Sequence, residues 1–202
     1  MSPKQDVSEE RKNQILDAAM NIFAKMGFHK ARMDDVAQES GLSKGALYWY
    51  FKSKDAIIAA ILERLFNMAL KDLKRLEEAG EGSVREGLMA YSQQLLGYME
   101  RMRPLLPMMY EFYALIGRQK FVQQLGKGYY REYIGIMAKV IQHGVEQGEF
   151  RAVDPVEVAA TFVAIFEGLT LIWAVDAESL PLEKQLPASM RLLLDSLQKP
   201  EE

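Results

Sequence analysis

From Val158 to Val175 the chain carries a single charge, Glu167. Val158, Phe162, Ile165, Leu169 and Ile172 make one apolar stripe at helical spacing, and Ala159, Val163, Phe166, Thr170 and Trp173 make a second. A helix that is apolar all round has to be covered all round, by protein or by lipid. The run approaches the length of a membrane span. Its mid-run carboxylate, its two threonines and the lack of flanking Lys or Arg anchors favour a covered helix of a soluble protein, with no membrane partner.

The other segments repeat the helical theme. Apolar residues recur at three- and four-residue steps, without strand-like alternation or internal repeats. The spacing predicts an all-α fold of nine helices, at about 8–26, 34–40, 43–51, 54–78, 83–102, 104–115, 118–147, 155–175 and within 180–197. Gly27 is a left-handed stop for the first. Ser83 and Glu86 make a capping box, and Asp154-Pro155 opens the eighth. Pro104 and Pro107 force a new start, and Pro187 stands in the first turn of the last helix or kinks it. The boundary that matters lies near Ser53, giving a small domain over 8–53 and a larger one over 54–199.

Hydrophobic residues make up 49% of the 202, ample for a core. Cysteine is absent, which rules out disulfides and thiolate metal sites. Met1 to Arg11 is too polar for a secretory leader, so a cytoplasmic location is expected. There is no glycine-rich phosphate loop or nucleophile elbow. The only histidines are His29 and His143, and His143 with Glu146 reads as a solvated pair. The chain is not expected to be an enzyme or to need a cofactor or a metal.

Net charge is −3, yet Lys25 to Lys54 holds six Lys or Arg against three acids, and Gly41 to Lys54 holds three lysines and no acid. A local basic patch on an acidic chain suits a phosphate backbone. Here Ala37 permits close helix approach, Gly41 makes the turn, and Val36, Leu42 and Leu47 fill the interior, the pattern of a helix-turn-helix. Ser43 caps the second helix. That helix presents Lys44, Gly45, Ala46, Tyr48, Trp49 and Tyr50 outward, while Leu47 and Phe51 turn in. Three consecutive aromatics cannot all face a core, so at least one is exposed.

The run from Met33 to Lys54, with Ala18, Ala19, Phe23 and Gly27-Phe28 before it, resembles the signature of the TetR family of transcriptional regulators, over about Ile15 to Ile61. Glu167-Gly168-Leu169 agrees with the family's C-terminal rhythm. The resemblance implies a three-helix DNA-binding head, a helical effector and dimerisation domain, and a repressor that binds double-stranded operator DNA. Tyr48, Tyr50 and Lys54 would contact phosphates, and Lys44, Gly45 and Ala46 would lie against bases or backbone. Ala46 stands where the family often has Thr, and Ala31-Arg32 where it often has Ser or Thr. Arg32 cannot cap the second helix but reaches phosphate. The resemblance further implies a homodimer through the last two helices, with Val158, Phe162, Ile165, Leu169 and Ile172 facing Met190, Leu193, Leu194 and Leu197; a plain monomer core is the alternative. Tyr91, Leu95, Met99, Met102, Met109, Phe112, Tyr113, Tyr130, Tyr133, Met137, Phe166 and Glu167 suit a plastic cavity for a small lipophilic effector, or else adaptable core. Glu111 and Glu167, set among apolar residues, are expected to pair internally or to meet a ligand cation.

Overall fold

The computed structural model describes residues 3–80, 82–103 and 106–199; the side chains of 3–6, 107–109 and 112 lie outside that description. Nine helices and no strand occur among these residues: α1 (Pro3–Met26), α2 (Met33–Glu39), α3 (Lys44–Tyr50), α4 (Lys54–Ala79), α5 (Val84–Met102), α6 (Leu106–Ile116), α7 (Lys120–Glu146), α8 (Pro155–Val175) and α9 (Leu182–Ser196). The all-α expectation holds, and most helix ends fall within two residues of those read from the sequence. The clearest differences are α1, which begins five residues earlier, and Pro187, which stands inside α9.

The chain divides into two compact units. The first comprises residues up to Phe66 together with 104–126, and so includes α6. In it, α1 packs on α2 and α2 on α3. The frame is fully apolar: Ile15, Ala19, Val36, Leu47, Ile57, Ile58 and Ile61 are all 0% exposed. Two side-chain links fasten 104–126 to the rest of this unit. Glu111 of α6 pairs with His29 of the α1–α2 turn at 2.7 Å, and Gln119 donates to Asp55 at 2.6 Å.

The second unit comprises 67–103 and the residues from Lys127 onward. There α9 packs against both α5 and α8. Leu73, Leu88, Met137, Phe150, Phe162, Leu186 and Met190 form its core. Ser83 accepts the Glu86 N–H at 3.1 Å, as the expected cap requires. The carboxylate that reinforces this first turn is that of Glu149, which accepts the N–H groups of Val84 (2.7 Å) and Arg85 (3.1 Å). Asp154 caps α8 through the N–H groups of Val156 and Glu157, with Pro155 at the first helical position.

Candidate functional site

In the first unit the turn between α2 and α3 follows from local chemistry. Gly41 sits at φ +67°, a left-handed conformation that a β-carbon disfavours. The Ser40, Gly41 and Leu42 N–H groups close onto Val36, Gln38 and Ala37 carbonyls, and the Ser40 hydroxyl donates to Ala37 O at 3.0 Å. Gln14 of α1 donates to the Ser40 carbonyl at 2.6 Å and ties the turn to the frame. Ser43 then caps α3 by accepting the Ala46 N–H at 3.2 Å. At the start of α2, Arg32 occupies the cap position but contributes no acceptor; the Asp35 carboxylate accepts the Arg32 N–H at 2.7 Å instead.

This frame turns one side of α3 outward. Trp49 is 69% exposed and stands edge-on to Tyr50, with ring centres 4.6 Å apart. Ser43, Lys44 and Gly45 are exposed, as is Arg32, whereas Ala46, Tyr48 and Tyr50 are half-buried. Leu47 and Phe51 point into the core. The Lys44 ammonium lies 2.7 and 2.9 Å from the two carboxylate oxygens of Asp34. That hydrogen bond, and then the charge behind it, hold Lys44 above its usual pKa range. Lys52 donates to Tyr48 O at 2.7 Å. Lys54 is half-buried, donates to the carbonyls of Phe28 (2.7 Å) and His29 (3.3 Å), and lies 4.5 Å over the Phe28 ring. Every residue singled out for DNA therefore belongs to one unit, and two of its cations already have protein partners.

In the second unit, Tyr91, Leu95, Met99, Tyr133 and Met137 are buried, while Met102, Tyr130, Phe166 and Glu167 are half-buried. Tyr133 lies 6.5 Å from Tyr91 and 5.7 Å from Tyr129, ring centre to ring centre. Tyr130 donates to Glu167 at 2.9 Å, so that carboxylate is paired internally; Glu111 pairs with His29. Burial, first of all, pushes the hydroxyls of Tyr91 and Tyr133 up. Tyr113 belongs to the first unit and is exposed, and the side chains of Met109 and Phe112 lie outside the described ones. Sequence reasoning missed Phe162, which stacks on Tyr91 at 6.3 Å, and Trp173, whose ring has the Arg103 guanidinium at 5.7 Å. An aromatic at a fixed interval from Glu167 was the available signal, but Phe162 fell on the stripe assigned to a partner.

The partner face needs correcting. Phe162, Met190, Leu194 and Leu197 are 0–2% exposed within one chain and form its core, so they do not face a second copy. Because α8 is apolar on every side, its sequence did not reveal which stripe turns inward; the large Phe162 and Trp173 do. The outer stripe instead runs through Val156, Ala160, Ala164, Gly168, Leu171 and Val175, with Ile172 beside it, and Leu192 stands out from α9. Val158, Ile165, Leu169 and Leu193 are half-buried. Within the most apolar 18-residue window of α8, whose mean hydropathy of 2.0 would allow a membrane span, only 28% is buried by the chain itself.

A short, capped helix held outward on a rigid apolar frame, next to a basic turn, defines a helix-turn-helix DNA-binding regulator. The comparisons make this specific. Residues 15–61 match the bacterial regulatory proteins of the tetR family, and residues 84–198 match the C-terminal part of BetI-type transcriptional repressors. The HTH-type transcriptional regulator YfiR of Bacillus subtilis is 30% identical over 80% of this chain and 80% of its own length. SmeT, the repressor of the Stenotrophomonas maltophilia multidrug efflux pump SmeDEF, shares the fold, with a TM-score of 0.76 at 23% identity over 94% of this chain and 91% of that one. A SmeT–triclosan complex aligns with a TM-score of 0.80 at 21% identity, covering 95% and 93%. The chain belongs to the TetR family of transcriptional regulators, and its function is regulatory DNA binding, not catalysis.

Proposed function

We propose that the chain is a cytoplasmic repressor, a homodimer that holds operator DNA through α3 of both copies and lets go when a small lipophilic effector binds. The observation that carries this reading is the outward set on α3, with Lys44 and the 69%-exposed Trp49 standing on a frame that is otherwise fully buried. Tyr48, Tyr50, Arg32 and Lys54 serve the phosphates on either side, while Lys44 with Gly45 and Ala46 lies against the bases, Ser43 fixing the helix start. The second copy docks on the outer stripe of α8 and on Leu192. Small residues at Ala160, Ala164 and Gly168 let two helices approach closely, and an all-helical regulator needs paired half-sites about 34–36 Å apart. A lipid contact for α8 would leave that requirement unmet.

The effector sits among Tyr91, Leu95, Met99, Met102, Tyr130, Tyr133, Met137, Phe166 and Glu167, and the triclosan complex of a structural relative supports this class of ligand. The Tyr91 hydroxyl donates to the Ala69 carbonyl of α4 at 3.4 Å, so a ligand that displaces Tyr91 acts on α4. The N-terminal half of that same helix carries Ile57, Ile58 and Ile61 in the core under α3. Effector and operator should therefore weaken each other by one common factor. The test is selection of bound DNA from a random library, then fluorescence anisotropy of the selected site with and without a lipophilic panel. Absence of any enriched palindromic motif would overturn the operator reading; a ligand that binds free and DNA-bound protein equally is no effector.

A further inference from the structure

We infer that Asp34 is a specificity-determining residue: with Lys44 it forms a donor–acceptor couple that reads a G·C pair and suppresses binding to other DNA. The inference rests on the DNA-binding role given to Lys44. Three acids lie within the basic segment from Lys25 to Lys54. Asp35 is used at the start of α2, where it accepts the Arg32 N–H, and Glu39 lies by Asn21 (3.4 Å) and Lys25 (3.8 Å) of α1. Asp34 differs. It lies in the first turn of α2, ten residues from Lys44, and both of its oxygens are on the Lys44 ammonium.

Both side chains are well exposed, 59% for Asp34 and 62% for Lys44. A pair so solvated adds little to stability. What it changes is the charge offered to DNA. A bare lysine at this place gains from any phosphate within reach, whatever the sequence. With Asp34 attached, the local charge is zero, and the carboxylate itself is repelled by phosphates. Two of the three ammonium N–H groups are directed at the carboxylate, which leaves one donor beside an anionic acceptor. In the major groove a G·C pair shows acceptors on guanine and an amino donor on cytosine, and this complements the couple. An A·T pair also pairs a donor with an acceptor, but its amino and N7 groups are on one base and suit an amide better. The couple therefore binds well only where both halves find partners.

The experiment compares wild type, Asp34→Asn, Lys44→Met and the double variant. Each is titrated onto the library-selected site and onto unrelated DNA over a salt series. Asp34→Asn should tighten binding to unrelated DNA, steepen its salt slope by about 0.9 as lysine gains a phosphate, and lower the preference for the selected site about tenfold per half-site. Repeat selection should lose one G·C position in each half-site. In the Lys44→Met background the same substitution should leave the specificity ratio and salt slope unchanged, which a mere effect on α2 would not do. If Asp34→Asn keeps the ratio, slope and motif of wild type while Lys44→Met weakens operator binding, the inference is overturned and Lys44 acts alone. If Lys44→Met changes neither DNA, the role of Lys44 fails as well.

Discussion

Ala164→Arg is expected to convert a dimer into a folded monomer. Ala164 is exposed in the single chain and lies midway along the outer stripe of α8, so an arginine there meets water, not core. The apolar residues around it set the scale. Val156, Leu171, Ile172, Val175 and Leu192 are 47–75% exposed. Covering them amounts to roughly three full side chains, about 4–9 kcal/mol per protomer. Two-fold symmetry counts this twice, about 9–18 kcal/mol, set against the roughly 4–15 kcal/mol that association costs. An arginine in the seam leaves an unpaired charge in each copy, at about 3 kcal/mol or more apiece. Both copies together weaken the dimer by about 6 kcal/mol, or some four decades in Kd. Sedimentation velocity at micromolar concentration should show one monomeric species, circular dichroism should show unchanged helix content, and operator binding should be lost. A variant that sediments as a dimer at nanomolar concentration would refute the reasoning and place the interface elsewhere.

Other consequences can be checked independently. Lys54→Ala removes two hydrogen bonds to the α1–α2 turn and a cation–ring contact, so the thermal midpoint should fall by the equivalent of about 1–2 kcal/mol. The DNA salt slope should also drop by about one, and an unchanged slope would make Lys54 purely structural. Tyr91 and Tyr133 hold their protons more tightly folded than unfolded. Their contribution is therefore complete below about pH 10 and is lost as pH rises beyond it, by up to about 1.4 kcal/mol per pH unit for each. Urea titrations should show Tyr133→Phe flattening that alkaline decline, and an equal decline in the variant would reject the assignment. A β-carbon on Gly144 would stand 2.5 Å from Phe150 Cε2, in a ring that is 1% exposed, so Gly144→Ala should cost about 1–3 kcal/mol in chemical denaturation. Gly87→Ala meets only the flexible end of Leu76 and should cost much less; equal losses would show that the Phe150 ring yields freely.

The helix-turn-helix was legible because its determinants are local. Gly41, Ala37 and the Ser43 cap act within a few residues of one another, and the alternation of Leu47 and Phe51 with exposed neighbours fixes which side of α3 looks out. The start of α5 was half legible: Ser83 is a local cap, whereas its supporting carboxylate comes from Glu149, beyond the reach of any short motif. The orientation of α8 was not legible. Periodicity assigns a face only when polar residues mark the other one, and α8 has no such contrast. The pairing of Glu167 with Tyr130 was open among several internal partners, and that of Glu111 with His29 depends on a contact across more than eighty residues of chain.

The membership of 104–126 in the first unit bears on how such a regulator can be recombined. The head is not a single stretch of chain; the covalent path leaves and re-enters it, crossing between units after Phe66, after Arg103 and after Gly126. A chimaera that exchanges only residues 1–66 for those of another regulator would set a foreign α1–α2 turn against the resident α6. It would then strand Glu111 without His29 and Gln119 without Asp55. Sequence drift at these four positions is consequently tied across two distant segments. Operator preference can be transplanted by changing the surface of α3 alone, but transplanting the whole head requires carrying α6 along with it.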